Sequence, residues 1–113
     1  MQSALCPHLK RQSSDFVFVD FTAEWCVACK EMELRTFRDP AIIGKLNNDW
    51  IPVRMDCTQD SAESERILKK YRITGFPSVL LLSPDGTQLS LLSGVISPQE
   101  LLLILDEKGG NAK

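Results

Sequence analysis

Two cysteines separated by two residues, in Trp25-Cys26-Val27-Ala28-Cys29-Lys30, constrain what this chain can fold into more than any other feature. They follow closely after Phe16-Val17-Phe18-Val19-Asp20-Phe21, an aromatic and β-branched run that predicts a central, parallel strand buried on both faces. A helix that starts near Cys26 would place that thiol among unpaired N–H groups, which favour a thiolate. Cys29 lies nearly one turn further on, within reach of a disulfide. The pattern predicts a redox pair in which Cys26 attacks a partner disulfide and Cys29 resolves the mixed disulfide.

A zinc site is the alternative use of such a pair, and it would need a second pair of ligands. Cys6 and His8 are the available suppliers, with Cys57 as a spare. Because Cys-x-His is an unusual spacing for structural zinc, we expect neither a metal nor an organic cofactor. Cys57 is predicted to be a buried, small hydrophobic residue at the end of a strand, and Cys6 an exposed thiol.

Two carboxyl groups lie at spacings that bring them near the cysteines. Asp20 stands in the apolar strand, so burial is expected to raise its pKa. Glu33 comes four residues after Cys29, and on a continuous helix it shares a face with both cysteines. We expect both acids to accept and deliver the protons of thiol exchange. From spacing alone, an Asp20 that faces water and a Glu33 that is ordinary surface charge remain open.

Three further residues are candidates for contacts with a partner protein. Trp25 is predicted to form an apolar shoulder beside the sulfur of Cys26. Phe76 and Pro77 precede a predicted strand, and a cis bond between them would expose the backbone of Phe76 to an extended partner peptide. The pattern alone favours a trans proline at a strand start.

The remaining patterns predict a single α/β domain over residues 16–108, with a hairpin at one edge of its sheet. The head, residues 1–15, is predicted to be weakly structured or a short helix, and residues 109–113 a frayed tail. The predicted elements are strands at 16–21, 50–55, 78–82 and 87–92, and helices that start near Cys26, restart at Asp39-Pro40, and cover 61–71 and 97–105.

Composition excludes several classes of function. The chain of 113 residues is 43% hydrophobic and carries a net charge of −2, so it lacks the basic balance of a general nucleic-acid binder. No run approaches the roughly 18 apolar residues that a membrane span needs, and the N-terminus lacks the pattern of a signal peptide. We expect a monomer that does not bind nucleic acid.

The stretch from Val19 to Cys26, with Cys29-Lys30 and with Phe76-Pro77-Ser78, resembles the thioredoxin superfamily over roughly residues 16–108. Within that superfamily, the stretch Cys26 to Glu33, followed by Thr36 to Pro40, is similar to the C-terminal, periplasmic thioredoxin-like domains of the DsbD family of bacterial membrane reductases. Thioredoxins usually carry Gly-Pro between the cysteines, so Val27-Ala28 points away from thioredoxin itself.

The resemblance implies a thioredoxin-like fold, which is a central mixed sheet flanked by helices. Because the head before Phe16 is short, we expect a truncated first strand. It implies that Cys26 is the exposed nucleophile and Cys29 the resolving thiol. Asp20 and Glu33 match the two acids near the active site of such domains, and Pro77 matches the cis proline.

The resemblance also implies partners. Such a domain takes electrons from the transmembrane domain of its own protein and passes them to an N-terminal periplasmic domain, which reduces disulfide isomerases and cytochrome c maturation proteins. We therefore expect a protein-disulfide reductase in the periplasm, as a domain of an inner-membrane protein. A cytoplasmic location, a stand-alone thioredoxin-like reductase and a non-catalytic binding module stay open. The direction of electron flow depends on a reduction potential that the sequence does not fix.

Overall fold

The computed structural model describes residues 2–3, 16–59 and 61–108. The strands in these ranges are β1 (Gln2–Ser3), β2 (Phe16–Thr22), β3 (Trp50–Asp56), β4 (Ser78–Leu82) and β5 (Gln88–Ser93). The helices are α1 (Val27–Arg35), α2 (Pro40–Asp49), α3 (Ala62–Lys70) and α4 (Pro98–Lys108). The predictions for Cys6, for His8 and for the tail 109–113 lie outside the described residues.

The strands form one mixed sheet in the order β1-β3-β2-β4-β5. Strand β2 lies at its centre, parallel to β3 and antiparallel to β4. The prediction of a central, buried strand at 16–21 is confirmed, whereas the prediction that it is parallel holds for one neighbour only. Strands β4 and β5 form the predicted hairpin at one edge.

Alternation along β2 divides the core into two layers. Val17, Val19 and Phe21 pack on one face with Ile67 and other residues of α3. Phe18 packs on the opposite face, where helices α1, α2 and α4 contribute the buried residues Met32, Ile42, Leu46, Leu101 and Leu105. Asp20 follows Phe18 by two residues and therefore lies on the face that α1 covers.

The break between α1 and α2 follows from local capping. Helix α1 ends at Arg35, and the buried Thr36 donates its hydroxyl to the carbonyl oxygen of Ile96. Asp39 caps α2 by accepting the N–H of Ala41 at 2.9 Å, with Pro40 in the first turn. The predicted restart at Asp39-Pro40 is confirmed.

The edges of the domain bear on two of the sequence-based predictions. Strand β1 has two residues and pairs with β3 in parallel. It agrees with the truncated first strand that was expected from the resemblance, although the head as a whole was predicted to be weakly structured or a short helix. Helix α4 continues to Lys108, three residues past the predicted end at 105. Within the described ranges, no helix is long and apolar enough to cross a membrane.

Candidate active site

Cys26 and Cys29 form a disulfide at the start of α1, with their Cα atoms 5.2 Å apart. Cys26 is the N-cap residue, in an extended conformation, and its Sγ accepts the backbone N–H of Cys29 at 3.1 Å. When the disulfide is reduced, the same N–H and the helix dipole favour a thiolate on Cys26. The predicted location of the pair at a strand-to-helix junction is therefore confirmed.

Exposure does not distinguish the two cysteines in this oxidised state. Cys26 is 7% exposed and Cys29 is 5% exposed, so the exposed nucleophile implied by the resemblance is in fact a mostly buried residue here. The capping position separates them instead, because the Sγ of Cys26 is the sulfur that accepts an N–H.

Two aromatic rings that contact each other lie beside the disulfide. Trp25 is 63% exposed, and its ring meets that of Phe76 edge to face, with centroids 5.6 Å apart. Phe76 also packs against the small cluster of Ala23, Cys26 and Cys29. The structure thus brings together the predicted apolar shoulder and the predicted Phe76 at one side of the sulfurs.

The Phe76–Pro77 peptide bond is cis. This agrees with the family resemblance and not with the trans bond that the pattern alone favoured. Pro77 is buried, and its carbonyl oxygen accepts the N–H of Gly94 at 2.9 Å. The loop is held further by Ser78, whose hydroxyl donates to the carbonyl oxygen of Gly75 at 2.7 Å.

Asp20 is 2% exposed, between Arg54 on β3 and Val79 on β4. Burial raises the pKa of Asp20 to about 6, although the positive charge of Arg54 lowers it. The expected rise in pKa is confirmed, and the alternative of a strand-end residue that faces water is wrong.

Glu33 forms an ion pair with Arg54, whose Nη2 donates to Oε2 of the carboxylate. Both side chains are partly exposed, 45% for Glu33 and 34% for Arg54. They lie on a cavity of about 210 Å³ that also reaches Cys29. Its lining consists of Thr22, Ala23, Glu24, Cys29, Lys30, Glu33, Arg54 and Asp56. Glu33 is thus at the wall of a cavity beside the second cysteine.

Sequence reasoning missed Arg54. Its signal was present, because a charged residue in the otherwise apolar run Trp50-Ile51-Pro52-Val53-Arg54-Met55 needs a partner when that run becomes a strand. What the sequence did not supply is the register that sets Arg54 beside Asp20.

Thr58, also missed, fixes the position of Trp25. The indole Nε1 donates to the carbonyl oxygen of Thr58 at 3.2 Å, and the hydroxyl of Thr58 accepts the N–H of Glu24 at 2.9 Å. Asp56 in turn accepts the N–H and the hydroxyl of Thr58, and these bonds lower the pKa of Asp56. The exposed tryptophan is therefore held at its polar edge.

Cys57 is buried, as predicted, in the core layer that includes Val53 and Met55. Its thiol lies 3.8 Å from the carbonyl oxygen of Met55. Among the residues that the structure describes, no cluster of three or more His, Cys, Asp or Glu could hold a metal ion.

A mixed sheet, a CxxC disulfide at a helix N-terminus and a cis-proline loop packed against it define a thiol:disulfide oxidoreductase of the thioredoxin class. The family model of the thioredoxin-like domain matches residues 8–109, and the chain belongs to this family. The predicted fold class is confirmed, and so is the prediction of an oxidoreductase.

Similarity to individual proteins points in the same direction. The thiol:disulfide interchange protein DsbD of Pseudomonas fluorescens is 36% identical over 78 residues, which cover 69% of this chain and 13% of the relative. DsbD of Actinobacillus pleuropneumoniae is 33% identical over 93 residues, 80% of this chain and 16% of the relative. The chain therefore spans about a sixth or less of the length of these relatives.

Solved structures show the same likeness. The oxidised C-terminal domain of DsbD from Neisseria meningitidis has a TM-score of 0.75 and 26% identity, over 83% of this chain and 80% of that chain. A thioredoxin from Thermus thermophilus has a TM-score of 0.72 and 25% identity, over 82% of this chain and 72% of that chain.

Proposed function

We propose that this domain is a reductant that passes electrons to protein disulfides by dithiol–disulfide exchange. The observation that carries the proposal is the capping position of Cys26, whose Sγ accepts an N–H at the start of α1 beside the apolar surface of Trp25 and Phe76. This arrangement stabilises an attacking thiolate and offers a partner a surface next to it. The likeness to proteins named thiol:disulfide interchange proteins supports the proposal.

The exchange has two steps. The Cys26 thiolate attacks one sulfur of the partner disulfide, so that a mixed disulfide forms and the other partner sulfur leaves as a thiolate. Cys29 then attacks the Sγ of Cys26, which forms the Cys26–Cys29 disulfide and releases the second partner thiolate. Two electrons move to the partner, and because the pair itself holds them, the proposal includes no metal and no organic cofactor.

Asp20 is the proposed proton carrier for this exchange. With a pKa of about 6 it is present in both protonation states close to neutral pH, so it can take a proton from a thiol and return it. Glu33 lies at the cavity wall beside Cys29, where its carboxylate pairs with the guanidinium of Arg54.

Trp25, Phe76 and Pro77 form the proposed docking surface. Trp25 offers an exposed ring, and Phe76, which precedes the buried Pro77, packs against the cysteine pair. An extended segment of the partner protein that carries its disulfide would lie across these residues.

The proposed setting follows from the resemblance to DsbD. In that setting the domain receives electrons from a membrane domain of the same protein and delivers them to periplasmic partner disulfides, including those that serve cytochrome c maturation. The match to the C-terminal domain of the Neisseria meningitidis DsbD over 80% of that chain supports it. A stand-alone thioredoxin-like reductase is the second candidate, supported by the likeness to the Thermus thermophilus thioredoxin. A membrane domain encoded upstream in the same reading frame would favour the first candidate and contradict the second.

Electron transfer can be tested by counting thiols. The reduced domain is mixed with excess oxidised insulin under anaerobic conditions, and thiols are counted in each protein after acid quenching and alkylation. We expect two thiols to appear in insulin for each Cys26–Cys29 disulfide that forms. A domain that stays reduced beside intact insulin would contradict the proposal.

Cys57 supplies the matched control. Cys57→Ala removes a buried cysteine outside the Cys26–Cys29 pair, and transfer should proceed as in the unmodified domain. Cys26→Ser should abolish transfer.

A further inference from the structure

Arg54 contacts or faces both acids of the proposed exchange. On the sheet it is the register partner of Asp20, and register partners on parallel strands point to the same face. Its Nη2 pairs with Glu33 on α1, and the side chain lines the cavity that reaches Cys29. One side chain therefore joins β2, β3 and α1 next to the resolving cysteine.

The guanidinium is held in a defined direction. Its Nε is buried and lacks a hydrogen-bond partner among the described residues, while Nη2 reaches Glu33 at the cavity wall. An arginine that turned away from Glu33 would have to move this buried Nε, which limits the freedom of the side chain. Arg54 thus presents one donor group at a fixed place.

We propose that Arg54 is a positioning residue for the exchange reaction, which fastens the carboxylate of Glu33 beside Cys29 and offsets its negative charge there. The inference rests on the proposed function. Without Arg54, the carboxylate of Glu33 would be uncompensated and would oppose a thiolate on the cysteines.

The other charges at the cavity differ from this pair in exposure. Glu24, Lys30 and Asp56 are all exposed, so water and salt screen their effect on the sulfurs. Glu33 and Arg54 are partly buried against the sheet and are screened less. The pair is therefore the main charged group whose geometry can set the thiol chemistry from the cavity side.

A double-mutant cycle measures whether Arg54 acts through Glu33. The alkylation rate of Cys26 by iodoacetamide at pH 6 reports its thiolate fraction in four reduced proteins: the unmodified domain, E33Q, R54Q and E33Q/R54Q. We expect E33Q to speed alkylation and R54Q to slow it by about threefold, which corresponds to about half a pKa unit. When Glu33 is already replaced by Gln, we expect R54Q to change the logarithm of the alkylation rate by less than half as much as it does in the unmodified domain.

Two further variants control the cycle. R35Q breaks the exposed Glu31–Arg35 pair, 3.5 Å apart on the same helix, and should leave the alkylation rate unchanged. R54K keeps the charge without the planar fork of the guanidinium and should restore part of the rate lost in R54Q. If R54Q does not fold, the cycle is completed with R54K and E33Q/R54K instead. The expected slowing of alkylation is then smaller.

The possible results separate this inference from the proposed function. Two results overturn the positioning role of Arg54 even if the unmodified domain reduces insulin. The first is an alkylation rate that R54Q leaves unchanged, and the second is an R54Q effect of equal size in the unmodified and the E33Q backgrounds. Loss of insulin reduction in the unmodified domain overturns the proposed function, whatever the cycle shows. The positioning role and the proposed function are both supported if R54Q slows the alkylation of Cys26, if this effect shrinks by more than half in the E33Q background, and if the unmodified domain reduces insulin.

Discussion

Asp20 and Arg54 lie opposite each other on neighbouring parallel strands, one fully buried and the other at the wall of the cavity that reaches Cys29. The guanidinium charge lowers the pKa of Asp20, but burial dominates and the pKa rises from 3.8 to about 6. A carboxyl group with that pKa costs the folded state free energy whenever it is ionised.

The pH dependence of stability is the first consequence. Between pH 3.8 and about 6 the folded state keeps the proton of Asp20 while the unfolded state has released it, so this group makes stability fall as pH rises. The total loss is about 3 kcal/mol, reached above pH 6. Asp20→Asn removes the dependence. Urea unfolding at pH 4, 5, 6 and 8 should show that the variant gains stability relative to the unmodified domain as the pH rises through about 6, and that the gain is complete by pH 8. Parallel pH curves for the two proteins would contradict the raised pKa.

Trp25 should matter for protein partners and little for stability. Trp25→Ala removes an exposed ring, so we expect the free energy of unfolding to change by less than about 1 kcal/mol. Reduction of insulin should slow several-fold, while reduction of a small aromatic disulfide, which needs no docking surface, stays nearly constant. Leu34→Ala is the matched control, because Leu34 is 60% exposed on the same helix as the cysteines. Equal slowing with both substrates would argue against a docking surface at Trp25.

Thr36 should matter for stability and little for exchange. Its buried hydroxyl donates to the carbonyl oxygen of Ile96 and so ties the end of α1 to the segment before α4. Thr36→Val keeps the shape but leaves that carbonyl without its donor, which costs about 1–3 kcal/mol in urea unfolding. Thr36→Ser keeps the donor and should cost less than Thr36→Val. If Val is tolerated as well as Ser, the hydrogen bond contributes little to the fold.

Much of the fold could be predicted because its signals are local. The buried run at 16–21, the start of a helix at Cys26 and the cap and proline of Asp39-Pro40 each specify an element from a few neighbouring residues. Strand β2 has one parallel and one antiparallel neighbour, and this pairing depends on the course of distant segments. The buried run at 16–21 therefore predicted a central strand but the wrong direction for one of its neighbours.

The site was predictable to the extent that its residues share one segment. Cys26, Cys29 and Glu33 follow from spacing on one helix, and Asp20 from its place in an apolar strand. Arg54 comes from a strand 34 positions after Asp20, and only the register brings the two together. The cis bond before Pro77 is another example, since local pattern favoured trans and the family resemblance alone implied cis.

The most direct test of the central claim is to trap the first step of exchange. Reduced Cys29→Ser and Cys26→Ser variants are each mixed with an oxidised dithiol protein, and the products are separated on non-reducing gels and mapped by mass spectrometry. We expect Cys29→Ser to accumulate a mixed disulfide through Cys26, and Cys26→Ser to accumulate none. A mixed disulfide through Cys29 or Cys57, or no adduct with either variant, would contradict the claim that Cys26 is the attacking thiol of a dithiol–disulfide exchange.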